Sequence, residues 1–139
     1  MASPAKTYAR TPEAGNPART EAWALLEIAR LMEGAKKREV GELMAAVRKN
    51  WRLWTIFQAE LVDAECKLPP EVRRNLIGLA NFIDKHTAAL LAKPNPDMID
   101  VLVNINRQIG EGLLEGARSA AAKQQEAATP PAGPLRESA

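Results

Sequence analysis

The chain has 139 residues, 46% of them hydrophobic, 26% charged and only 4% aromatic, with a formal net charge of +2. That balance fits one globular domain with a modest core and excludes a strongly basic nucleic-acid-binding domain. A single cysteine, Cys66, excludes an intramolecular disulfide framework, and no apolar run exceeds five residues, so nothing is long enough to span a bilayer.

Ala, Leu, Glu, Arg and Lys dominate, all residues that lose little side-chain freedom in a helix, and no run alternates as a strand would. The expected fold is all-α: a compact three- to four-helix antiparallel bundle over residues 17–123. Residues 1–16, with Pro4, Pro12 and Gly15, read as a flexible segment. Residues 124–139 read as a disordered Pro-rich tail with too little apolar surface to offset its ordering entropy. Lys6 and Arg10 lead into no apolar stretch, which argues against a signal peptide, and the expected compartment is the cytoplasm.

The first helix opens at Asn16-Pro17, a capping residue followed by one pre-set for the first helical position. Its apolar face is Ala22, Leu25, Leu26, Ala29 and Met32, and Gly34 is a plausible stop. The second helix is expected from about Arg38 to Ala64. One stripe carries Val40, Leu43, Met44, Val47, Trp51 and Trp54, and a second carries Leu53, Phe57 and Leu61. A helix apolar over so much of its circumference is central or offers a face to a partner. Pro69-Pro70 break the chain, and Glu71 begins a third helix whose stripe is Val72, Leu76, Leu79, Ile83, His86 and Leu90. Asn95-Pro96-Asp97 repeats the cap-and-proline start, and the fourth helix places Met98, Leu102, Ile105, Ile109 and Leu113 on one face before fading through residues 119–122.

A search for catalytic groups finds few. The lone histidine, His86, sits on an apolar stripe, and Asp84, two positions away, points elsewhere on the helix. Cys66 has no histidine near it in sequence, and one Cys with one His cannot supply a metal set. Gly110 and Gly112 lie within a helix, not in a phosphate loop. The expectation is a non-enzyme with no cofactor and no metal.

Three polar-aromatic clusters stand out instead. In the first, residues 50–57, Trp51 and Trp54 are one turn apart; either both are core or one is an anchor for a partner. The second is residues 68–76, where the prolines and Glu71 have structural explanations but Arg74 and Asn75 do not. The third, residues 102–113, holds two asparagines and two glycines in a helix interior, each costly relative to Ala. Close approach of another helix at Gly110 or Gly112 would offset that cost, as would hydrogen bonds from Asn104 and Asn106; so would a partner. The candidate partner-binding residues are Asn50, Trp51, Arg52, Trp54, Phe57, Arg74, Asn75, Asn104, Asn106 and Arg107.

These clusters, in this order, together with Tyr8-Ala9-Arg10, resemble the FlaF family of flagellar biosynthesis regulators over roughly residues 5–115. The resemblance implies a cytoplasmic factor that binds flagellin as a secretion chaperone and regulates flagellin synthesis, with FlbT as a further partner. Flagellin's helical ends are amphipathic, and a small helical protein can cover such a segment by helix-in-groove binding. The alternative is a regulator that contacts flagellin messenger RNA directly or through FlbT, suggested by Lys36-Lys37-Arg38 and Arg73-Arg74. Nucleic-acid contact is expected only through a partner, since no aromatic platform is interleaved with the basic residues.

Overall fold

The computed structural model describes residues 17–128. The expected N-terminal segment, Tyr8-Ala9-Arg10, the Asn16 cap and the Pro-rich residues 129–139 lie outside the described residues. Four helices follow one another: α1 (Pro17–Ala35), α2 (Val40–Val62), α3 (Pro70–Ala92) and α4 (Pro96–Ala128). Their boundaries follow from local chemistry. Pro70 occupies the first turn of α3, where its missing N–H costs nothing, and the Pro69 carbonyl accepts from the Arg73 N–H at 2.9 Å. Asn95 caps α4 as its position implies: Oδ1 accepts from the Asp97 N–H at 2.8 Å. Asp63 leaves α2 in extended backbone, and its carboxylate accepts from the Glu65 N–H at 2.8 Å.

The helices run up and down around one core. Ala22 meets Gly110 and Lys36 pairs with Asp100, so α1 and α4 are antiparallel. Trp51 bonds Asp84 and Arg73 reaches the Leu61 carbonyl, so α2 and α3 are antiparallel too. α1 packs most extensively on α4, α2 lies against both α1 and α3, and α3 touches α4 only sparsely. The described residues therefore form a four-helix bundle with three packed seams and one loose one.

The core holds most of the expected apolar stripes: Ala22, Leu25, Ala29 and Met32 of α1, six residues of α2 that include Trp54, Phe57 and Leu61, and Leu76, Ile83 and Leu90 of α3. Val40 and Val72 are exposed instead, because each lies in the first turn of its helix, at an end of the bundle. On α4 the buried line runs through Ile99, Leu102, Val103, Asn106, Gly110, Leu113 and Ala117. It is turned from the expected stripe, so Met98, Ile105 and Ile109 are only half-buried. α4 also continues to Ala128, past the boundary expected at residue 123. Residues 118–126 are exposed all round, and good helix formers such as Ala, Lys, Gln and Glu sustain the helix there without a packed face.

Candidate functional site

Four of the ten candidate residues turn inward. Asn50, Trp54, Phe57 and Asn106 are buried, and three of them form one polar layer across the bundle. The Asn106 amide donates to the Leu25 carbonyl at 3.1 Å and to Asn50 Oδ1 at 2.7 Å, while its own Oδ1 accepts from the Trp54 indole N–H at 2.9 Å. One α4 side chain thus ties together α1 and α2. Phe57 packs beside Trp54 with ring centroids 5.5 Å apart. Asn50 Nδ2 has no hydrogen-bond partner among the described residues. A buried donor left unpaired costs about 1–3 kcal/mol, which offsets part of what the three hydrogen bonds of this layer contribute.

The other six do not converge on one patch. Trp51 is half-buried on the α3 side of α2, its indole N–H donating to Asp84 at 2.9 Å. Arg52, Arg74, Asn75, Asn104 and Arg107 are exposed. Helical spacing puts Arg52 on the outward side of α2 and Asn104 and Arg107 on the side of α4 turned away from α3. Gly110 is where α1 approaches closely: a Cβ there would lie 2.7 Å from Leu26 Cγ and 3.2 Å from the Ala22 carbonyl oxygen. Gly112 has nothing within that reach.

The loose seam between α3 and α4 was not legible beforehand. His86 marks the side of α3 that faces α4: its Nε2 lies 2.8 Å from the Met98 carbonyl, an acceptor only, so that nitrogen carries the proton. Val72, Leu79 and Phe82 share this side by their spacing. Phe82 is 45% exposed although it stacks on His86 at 5.2 Å. On α4, Met98, Val101, Ile105 and Ile109 run along the matching side, and Gly112 and Gly116 continue that row with open space beside each. The seam is thus sparsely packed, with apolar residues on both sides and glycines at one end.

A second uncovered feature is a shallow depression of about 260 Å³ at the turn from α2 to α3, lined by Val62, Pro70, Arg73, Arg74 and Ile77. Elsewhere, two members of the basic run at residues 36–38 pair with carboxylates of the chain, and Lys37 is exposed. Lys36 pairs with Asp100 and Glu33, and Arg38 lies 3.9 Å from Glu42. Between α1 and α2, Glu21 is only 8% exposed and within hydrogen-bond reach of Glu60. Burial, then the bond to Glu60 and its charge, push the Glu21 carboxyl up to about 8. Among the described residues, no three or more His, Cys, Asp or Glu side chains gather as a metal site would need. No described helix is long and apolar enough to cross a membrane.

Residues 4–113 match the family model described as flagellar protein FlaF. The chain belongs to the FlaF family. The match spans all three polar-aromatic clusters and the whole of α1, α2 and α3, and ends at Leu113, near the end of the packed part of α4. It makes this FlaF chain a flagellar protein and leaves the exposed end of α4 outside the shared region. No match was found among curated proteins or among solved structures.

Proposed function

We propose that this FlaF-family chain is a cytoplasmic flagellin-binding secretion chaperone, acting by holding its partner and not by catalysis, and needing no cofactor. The observation that carries this reading is the sparsely packed α3–α4 seam, which we read as an apolar groove. A bundle that closes three seams tightly and leaves Phe82, Val72 and Val101 exposed along the fourth has an apolar face to spend on a partner. An amphipathic helix fits such a groove by inserting residues spaced three and four apart. Gly112 and Gly116 allow its backbone to come close at one end. Flagellin is the family's expected cargo, and its amphipathic helical ends have the required form. Regulation of flagellin synthesis then follows from sequestration: a chain occupied by unsecreted flagellin is withheld from FlbT.

The test is co-expression with flagellin followed by size-exclusion chromatography. The wild-type chain should co-elute with soluble monomeric flagellin at micromolar concentration. The double variant Phe82→Ser, Val101→Ser should keep its helical spectrum and lose the complex. Separate elution of the wild-type pair would overturn the reading.

A further inference from the structure

We propose that the depression at the α2–α3 turn is a second docking site, for a protein segment that presents an apolar side chain beside a carboxylate. Three of its five lining residues are apolar. Val62 is 59% exposed, Ile77 is half-buried, and Pro70 lines the depression where α3 begins. An aliphatic residue left that open at the end of a helix contributes nothing to the core and gains by being covered.

The rim supplies the charge. Arg73 is held in place because its Nε–H donates to the Leu61 carbonyl, one of the acceptors that the end of α2 leaves without an intrahelical partner. That contact orients the guanidinium and leaves both terminal nitrogens available. Arg74, next to it, is exposed. Neither guanidinium has a carboxylate within ion-pair distance among the described residues, although Asp63, Glu65 and Glu71 are close in sequence. Elsewhere on the surface Arg30, Arg38 and Arg118 each pair within their own helix or its approach, and Arg48, Arg52 and Arg107 also lack an ion pair among the described residues, but none of those three lines this depression. Two unpaired guanidiniums, one fixed by backbone, beside apolar lining residues are complementary to a carboxylate flanking an aliphatic side chain.

A nucleic acid fits less well. Phosphate would meet the arginines, but the lining offers Val, Pro and Ile with no aromatic face for a base to stack on. The site lies on the α2 side of α3, whereas the groove lies on the α4 side, so both faces can be occupied at once. The proposal does not depend on flagellin being the cargo of the groove.

The test is a titration of the full-length, nitrogen-15-labelled chain followed by amide and arginine Nε resonances. The probes are a blocked Glu-Leu-Glu-Glu peptide, its Gln-Leu-Gln-Gln counterpart and an oligouridylate. The acidic peptide should give saturable shifts at Val62, Arg73, Arg74 and Ile77 that weaken with added salt. The neutral peptide should bind at least about tenfold more weakly, and Arg74→Glu should weaken the acidic peptide to a similar degree while other resonances stay in place. Arg74→Lys should retain part of the binding. The proposal is overturned if the acidic peptide causes no shift up to its solubility limit, or if the neutral peptide matches it. It is equally overturned if oligouridylate moves the same resonances at lower concentration.

Discussion

Asn106 does more with one side chain than any apolar residue at its position could. It satisfies the Trp54 indole, the Asn50 amide oxygen and the Leu25 carbonyl together. Asn106→Ala would remove three hydrogen bonds and strand the Trp54 N–H inside the bundle. Each buried orphan costs about 1–3 kcal/mol, so the loss should approach about 3 kcal/mol and lower Tm by more than about 10 °C. Thermal unfolding by circular dichroism would read it, and an unchanged Tm would show that the layer carries no stability. Glu21 makes a different prediction. Its carboxyl holds a proton up to about 8 in the folded chain, against 4.5 for an ordinary glutamate. Between those two values the folded state binds more protons than the unfolded one, so stability falls as pH rises through that window and levels off above it. Glu21→Gln, whose amide can donate to Glu60 as the protonated acid does, should flatten the slope. Urea midpoints at pH 5, 7 and 8.5 should fall steadily for wild type and stay level for the variant.

At the scale of elements, the two glycines of α4 make opposite predictions. A methyl group at Gly110 would strike Leu26 and crowd the Ala22 carbonyl, which is backbone and cannot swing aside. Gly110→Ala should therefore destabilise by about 1–3 kcal/mol. Gly112 meets nothing, so Gly112→Ala should stabilise by about 0.5–1 kcal/mol through helix propensity alone. Denaturant titration of the two variants side by side would check the signs. The contrast also shows what the sequence made legible. The starts of α1, α3 and α4 were readable because Pro17, Pro70 and the Asn95-Pro96-Asp97 start act locally, within a turn of where they stand. The stripe of α1 was readable because its buried positions are largely apolar; on α3 only Leu76, Ile83 and Leu90 of the expected stripe are buried, and Ala80 and Thr87, which carry little hydropathy signal, complete the buried line. On α4 the buried line passes through Asn106 and Gly110, which carry no hydropathy signal, so the stripe drawn through Met98, Ile105 and Ile109 was turned off-centre. Among the candidate residues, Trp51, Trp54 and Asn50 were picked out by type, but type does not say which way a side chain faces. The pairing of Glu21 with Glu60 joins residues far apart in the chain, and no local pattern announces it.

The whole molecule is unevenly held. α1 is pressed between α2 and α4, and α2 is clamped by α1, by α3 and by the Asn106 layer. α3 leans chiefly on α2, through Asp84 and Arg73, and meets α4 only lightly near His86. Local opening draws on the contacts that must be broken, so the element with fewest partners opens at the lowest free energy. Native-state hydrogen exchange should then rank the amides. Those of residues 118–126, with no packed face, exchange first; those of α3 follow; those in the middle of α1, α2 and α4 exchange only with global unfolding. Equal protection across α3 and α1 would mean that the loose seam has no energetic consequence. If the groove binds a helix, that helix becomes the missing neighbour of α3. Saturating flagellin should then raise α3 protection toward the level of α1 while leaving residues 118–126 unprotected. A partner that instead bound at the outward face of α2 would slow exchange there and leave α3 the weakest helix of the bundle.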